Sequence, residues 1–590
     1  MQRIELDNFR VFGSPAGFDL APVTVLTGKN NSGKSSLIKA FLVLADYLEQ
    51  EDQTVLRLDG KRASRHRISD WENMVNWDSG QSENLKFGYV RNGVEVSYEF
   101  EYEGEGLPPH LYQFRLTVPG VDRLTMRSIS GGEGYQLDVS QKLIDYLTGG
   151  TEIQKRILEA ASYPQRIEAL REELLALQAT IDNWEAGDQA GDFQQQLQKR
   201  QQTETAIQNL EALATKSGSV AGIFFQAEVW VNEPGIKPTI AGLVQAALHN
   251  YVTANAATDE DELLEDEYDD EALVDIYSVP DEDEDESEEA LEMAKEERRQ
   301  TMAERKQKQR TLELSKEQSY RTLVRFSDVV LHHIKFPMEH LGANRTHQAR
   351  LYLTGNGHSD ISTIANNYHR LGTFAGGGAD TFLTKWLDKF GIGEKAVTET
   401  VDNVAIRIGV MKNERYVNLA DLGFGAGQIL TVLLQIATLI QEYELSGPEL
   451  RMTAKFNPTI VLIEEPEANL HPQFQSLLAE MFASLAQSDY GLQFVLETHS
   501  EYLIRNIQVL VKEAGGNLME RRNVEYGRTE ATMRTKEMAL FKVYYLDPPS
   551  EANGYRHGHE MRLREDGVFM DEFGEGFLVN HAAELAFKLF

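Results

Sequence analysis

The stretch VLTGKNNSGKSSLIKAF, residues 25–41, decides the fold of this chain. An apolar run containing Val23, Val25 and Leu26 leads into it, and a helical pattern of Leu37, Ile38, Phe41 and Leu42 closes it. It therefore reads as strand, loop, helix. Between the two, Gly28 to Ser35 has the spacing G-x-x-x-x-G-K-S. Gly28 and Gly33 allow the backbone N–H groups of Asn30, Asn31, Ser32 and their neighbours to converge on one point. The next helix presents its positive end there. This is a cradle for phosphate. Lys34 is expected to reach the β- and γ-phosphates, Ser35 to hold Mg²⁺ through its hydroxyl, and Ser36 to line the loop–helix junction.

Two later strands supply matching chemistry. In PTIVLIEEPEANLHP, residues 458–472, an apolar strand closes on Glu464 and Glu465. Successive strand residues point to opposite sides, so the two acids can serve different partners. Glu464 is assigned to the metal and Glu465 to the general base that faces the attacking water. LQFVLETHS, residues 492–500, ends another apolar strand with His499, a group able to donate to a γ-phosphate near neutral pH. A fourth element, LGFGAGQ at 422–428, feeds a long apolar helix. The chain already has one phosphate loop. A second anion-binding helix terminus at Gly423, Gly425, Gly427 and Gln428 makes most sense if it serves a nucleotide held by another copy.

Together these four pieces resemble the nucleotide-binding head of the ABC/SMC/RecF superfamily of P-loop ATPases. GKNNSGKS looks like the Walker A motif, IVLIEEPEANLHP the Walker B motif and its following loop, LGFGAGQ the signature, and ETHS the switch histidine. The wording is closest to the RecF-like and OLD-like bacterial ATPases. HLGANRTHQARLYLTG and REDGVFMDEFGEGF are similar to segments of the group carrying a C-terminal module. The resemblance implies an ABC-type α/β head that pairs with a second copy, as a dimer or higher homo-oligomer. Two ATP molecules with Mg²⁺ would be sandwiched between the heads, Gly427 and its neighbours meeting the phosphate on the partner's lysine. It implies ATP hydrolysis, and a role in antiphage defence as sensor or scaffold for a separate effector such as a nuclease or toxin. The alternative it leaves open is a repair or recombination ATPase that clamps DNA. Gly425 stands where relatives carry a serine, which points to slow hydrolysis. OLD-like relatives append a nuclease domain after the histidine strand. About ninety residues follow His499 here, without a matching acidic constellation, so this chain is not expected to cut nucleic acid.

About 425 residues separate the first motif from the acidic pair. The layout expected is an N-terminal lobe at 1–145, a helical insertion at 146–335, a C-terminal lobe at 336–510 and a C-terminal module at 511–590. Within the insertion, Ile167, Leu170, Leu174, Leu177, Ile181 and Trp184 follow spacings of 3 and 4, the seam of a short coiled-coil hairpin. Phe193, Leu197, Ile207, Leu210 and Ala214 mark the returning helix. The formal charge is −35, and residues 259–289 hold nineteen acidic residues and no basic one. Such a run self-repels and is expected to be a mobile, disordered loop. The remaining acidity argues against broad duplex binding, although KRASRHR at 61–67 could meet phosphates. Zero cysteines exclude a disulfide framework, thiol catalysis and a zinc hook. No apolar signal core or obvious membrane span is present, which suits the cytoplasm.

Overall fold

The computed structural model describes residues 1–77, 84–104, 107–129, 131–149, 151–182, 190–218, 224–251, 321–343, 345, 349–354, 360–448, 450–451, 454, 457–517, 519–523, 534–548 and 557–573. The acidic run at 259–289, Trp184, and residues 290–320 lie outside them.

The central sheet has six strands. In spatial order they are β10 (Met338–Leu341), β15 (Thr459–Glu464), β16 (Leu492–Glu497), β3 (Val23–Gly28), β19 (Phe541–Leu546) and β20 (Gly558–Glu560). The first five run parallel, and β20 pairs antiparallel with β19. All five parallel strands therefore finish along one edge, which brings Leu341, Glu464, Glu497, Gly28 and Leu546 together. The expected strands around the phosphate loop and the two motif strands are thus neighbours, 430 residues of chain notwithstanding.

Alternation along these strands divides the interior in two. Ile460, Leu462, Leu26, Val495, Tyr544 and Leu546 face one core; Val461, Ile463, Val25, Phe494, Leu496 and Val543 face the other. A strand covered on both faces must be apolar at every position, which is why these segments read as unbroken aliphatic runs. The first core is completed by helix Lys34–Glu49 and an eight-stranded antiparallel sheet. That sheet has the order β2 (Ala16–Asp19), β1 (Arg3–Asp7), β4 (Asn84–Arg91), β5 (Val94–Glu101), β6 (His110–Val118), β7 (Asp122–Ser128), β8 (Gly134–Ser140), β9 (Phe224–Trp230). Tyr47 of the helix meets Tyr98 and Phe100 of β5 edge-on, the geometry aromatic pairs prefer.

The second core is formed by helices Gly378–Lys389, Phe424–Leu445, Pro472–Ala486 and Glu501–Glu513. Beside it stands a small sheet of β11 (Tyr352–Leu353), β13 (Ala405–Lys412), β12 (Lys395–Val401) and β14 (Arg415–Asn418). Helix Phe424–Leu445 is long and apolar enough to cross a membrane, a property the sequence reading passed over, but 78% of its most apolar window is buried inside the protein. It is a core helix.

The insertion holds two helices, Thr151–Asp182 and Ala190–Gly218. Leu177 and Ile207 are buried, and Ile167, Leu170, Leu174 and Ile181 are half-buried, as the expected seam requires. Arg171 pairs with Glu211 at 2.6 Å and Lys199 with Glu173 at 2.8 Å, so the helices run antiparallel. The first helix begins sixteen residues before the seam at Ile167 and spans roughly 48 Å at 1.5 Å per residue. It is longer than the apolar stripe alone suggests. A two-stranded pair, β17 (Met519–Asn523) and β18 (Arg534–Met538), precedes β19.

Candidate nucleotide site

The phosphate loop is shaped by backbone geometry before any ligand is considered. Gly28 has φ 135°, Asn31 φ 61° and Gly33 φ 109°. A β-carbon on Gly28 would lie 2.0 Å from the Leu546 carbonyl oxygen of β19. Only glycine allows the loop to leave β3 beside that neighbour. Helix Lys34–Glu49 then starts with no side-chain cap on its first N–H groups, as expected of a terminus built to receive an anion. The Ser32 hydroxyl is buried and makes no hydrogen bond to the described protein. An open polar atom inside a loop of converging amides fits an anionic oxygen that the protein itself does not supply.

Lys34 is 3% exposed. Its ammonium donates to the carbonyls of Gly28 (3.0 Å) and Lys29 (2.7 Å), folded back over its own loop. Burial lowers its pKa, opposed by the charges of Glu497 and Glu465. Ser35 is exposed to the cleft, and its hydroxyl donates to both carboxylate oxygens of Glu497, at 2.9 and 3.2 Å. Ser36 accepts from Arg10 Nε at 3.2 Å. Asn30 and Asn31 are exposed at the loop tip.

Glu464 and Glu465 end β15 with opposite fates. Glu464 Oε1 accepts from His340 Nε2 at 2.9 Å, with His340 buried at the end of β10. Burial alone would raise the pKa of Glu464; the His340 hydrogen bond and charge outweigh it and hold the carboxyl below its usual value. Glu465 has φ 44°, a left-handed conformation that costs a non-glycine residue energy. It is held there at both ends: its N–H donates to the Glu497 carbonyl at 2.7 Å, and its carbonyl accepts from Arg345 Nη2 at 2.6 Å. The same buried Arg345 donates to the carbonyls of Glu464 and Gly342, both at 2.8 Å.

His499 follows β16, exposed toward the cleft. Its N–H donates to Glu467 Oε1 at 2.7 Å, which anchors the backbone beneath it. Loss of solvent on its inner side, reinforced by Lys34, lowers its pKa and favours the neutral imidazole. The structure thus brings Lys34, Ser35, Glu464, Glu465 and His499 to the ends of three adjacent strands. The described contacts of the signature are with the Asn469 loop. Gly425 packs on the Asn469 loop, where a β-carbon would sit 2.2 Å from the Asn469 carbonyl oxygen. Gln428 is buried and accepts from Asn469 Nδ2 at 3.2 Å, and Gly427 lies in the first turn of the same helix. The serine missing at 425 has a steric reason: in this arrangement there is no room for one.

Four residues of the site escaped the sequence reading. Glu497 stood in the quoted ETHS motif, but its role depends on β16 lying between β15 and β3. His340 and Arg345 lie in the quoted HLGANR segment without a motif of their own. Glu467 was visible only as part of the loop after the acidic pair. In the C-terminal module His557 packs edge-on against Phe12, and the ring of His559 lies tilted against Tyr545.

The donor set at the strand ends, a hydroxyl and carboxylates, is hard oxygen and suits Mg²⁺. Among the described residues no group of three or more His, Cys, Asp or Glu is arranged to hold a metal alone. That fits Mg²⁺ at a nucleotide, which takes one or two protein ligands and fills its shell with phosphate and water.

A family model described as AAA ATPase domain matches residues 1–504. No curated protein matches the chain. Among solved structures, the chain is similar to the SMC head domain from Thermotoga maritima, at 10% identity over 91% of this chain and 98% of that one, with a TM-score of 0.27. It is also similar to the recombination mediator protein RecF of the RecFOR pathway, at 12% identity over 85% and 93% of the two chains, with a TM-score of 0.23.

Proposed function

This chain belongs to the AAA ATPase domain family, and we propose that it is an ATP-driven switch in which two copies engage through their heads around bound nucleotide. The observation that carries this reading is the meeting of Lys34, Ser35, Glu465 and His499 at one sheet edge, while the start of the signature helix is tied to the Asn469 loop. A complete site then needs Gly425, Gly427 and Gln428 from a second copy.

In the mechanism proposed, Lys34 leaves the loop carbonyls and meets the β- and γ-phosphates, with the amides from Asn30 to Ser36. Mg²⁺, when bound through Ser35 and the strand-end carboxylates, neutralises phosphate charge. Glu465 orients and deprotonates the attacking water, its position set by Arg345 and the Glu497 carbonyl. The neutral His499 donates to the γ-phosphate oxygen. Engagement would pass to a separate effector such as a nuclease or toxin, in the antiphage setting that the sequence resemblance implies; this chain itself is expected not to cut nucleic acid.

The test is Glu465→Gln in the full chain. It should bind ATP, turn over slowly and sediment as a dimer or larger at micromolar concentration, whereas Lys34→Ala should bind no nucleotide. Normal turnover by Glu465→Gln would remove the base assignment, and a monomer with ATP bound would remove the pairing. Affinity capture with the trapped variant then identifies the output. A stoichiometric toxin-like or nuclease partner supports the effector reading, and recovery of DNA with recombination proteins supports the clamp.

A further inference from the structure

We propose that Glu497 is the carboxylate that shares the divalent cation with Ser35, and that Glu464, on the neighbouring strand, stands behind it. The inference rests on the nucleotide-site reading above and reassigns the role given to Glu464 from the sequence.

The argument begins with register. β15 and β16 run parallel with Glu464 opposite Glu497, so the two carboxylates leave the sheet side by side. β16, not β15, lies against β3. The strand nearest the phosphate loop therefore ends in Glu497, and it is Glu497 that Ser35 reaches, with both oxygens within hydrogen-bond distance.

The two carboxylates also differ in their partners. Glu464 already accepts from His340 Nε2 at 2.9 Å and from the backbone N–H of Ala343 at 3.4 Å. Glu497 is 6% exposed, and among the described residues its carboxylate accepts from the neutral Ser35 hydroxyl. The nearby ammonium of Lys34 is turned to backbone carbonyls. A buried carboxylate without a cationic partner is costly, and a divalent ion bound to hard oxygen is the direct remedy. Ser35 can turn its proton away and offer a lone pair to the same ion without moving its backbone. Glu464 is already tied through Oε1 to His340, whose other ring nitrogen is buried with no hydrogen-bond partner in the described protein.

The experiment measures binding rather than turnover. The affinity of the full chain for a fluorescent ATP analogue is taken in EDTA and again with Mn²⁺, alongside the Mn²⁺ electron paramagnetic resonance signal. Wild type should gain affinity with Mn²⁺. Glu497→Gln should still bind the metal-free analogue, at least as tightly as wild type because a negative charge beside the phosphates is gone, but lose at least tenfold of the Mn²⁺ gain, and Glu497→Asp should recover part of it. If Glu497→Gln keeps the full gain while Glu464→Gln loses it, the ion belongs to Glu464 and the assignment falls. If wild type binds no analogue at all, the nucleotide site itself falls, and this assignment with it. Metal-free binding by Glu497→Gln also reports that the variant is folded.

Discussion

Arg345 fastens the end of the Walker B strand by its carbonyls, and this makes it the most informative single residue to change. Its guanidinium reaches the carbonyls of Glu464 and Glu465 in one plane, a fork that a lysine cannot reproduce. Arg345→Lys should leave the protein folded but let Glu465 relax from φ 44°. We expect kcat for ATP to fall by about tenfold or more with KM little changed, because the loss concerns orientation of the base and not nucleotide binding. Equal loss in both would mean that Arg345 only stabilises the fold. Gly425 invites the opposite test. Gly425→Ser restores the residue found in relatives, yet its β-carbon collides with the Asn469 carbonyl. Overpacking against backbone of this kind costs about 1–3 kcal/mol, read as a lower melting temperature. An unchanged melting temperature would mean that the Asn469 loop moves aside freely. At this scale the placement of Lys34, Ser35, Glu465 and His499 at strand ends was legible, because each belongs to a motif with fixed spacing, and the roles given to them remain proposals. Glu497 and Arg345 were not legible, because their partners are distant in sequence and their meeting is a matter of strand order.

The elements show how the insertion is joined to the site. Residues 321–334 form a helix whose C-terminal carbonyls are met by buried groups of β4: Arg91 donates to His332 and Lys335, and Tyr89 to His333 and Ile334. A cation at a helix C-terminus is favourable, and here it is nearly solvent-free. Four residues later the same chain enters β10 and delivers His340 to Glu464. Burial in this joint lowers the pKa of His333 to about 4, helped by His332 and Arg91. An unfolded histidine takes up a proton below about pH 6.5, and the folded one does so only near pH 4. The unfolded state thus binds more protons between these values, and stability falls as pH drops through that window. Relative to His333→Gln, wild type should lose about 2 kcal/mol between pH 7 and pH 5 by urea unfolding. Parallel curves for the two proteins would mean that His333 takes up its proton at the same pH in the folded and unfolded states. The hairpin seam was legible from its 3,4 spacing, whereas the full length of its first helix was not, since the apolar stripe marks only the part that packs.

For the whole molecule, charge is the property that bears on partners. The basic stretch 61–67 is partly paired within the fold: Arg62 pairs with Asp46 and Glu49, and His66 lies 3.7 Å from Asp46, while Lys61, paired with Glu49, and Arg67 stay exposed. Those acids stand on the phosphate-loop helix. Duplex DNA should therefore leave the ATPase rate unchanged at moderate salt, and stimulation that salt suppresses would favour the DNA clamp. What the sequence determined by itself is the set of pieces. A phosphate loop, an acid pair and a histidine each sit at a strand end, and unbroken aliphatic runs mark strands covered on both sides. These are local patterns, imposed by two-residue and 3.6-residue periodicities and by backbone freedom at glycine. What only the tertiary structure decided is adjacency. Sheet order put β16 between β15 and β3, handed Ser35 to Glu497 and gave Glu464 to His340. Residues 541–546 became a strand beside the phosphate loop, and the apolar stretch 424–445 became a core helix. Hydrogen bonding between strands does not record which residues precede or follow them, so strand order is settled by burial of the whole sheet and is not written in any one segment.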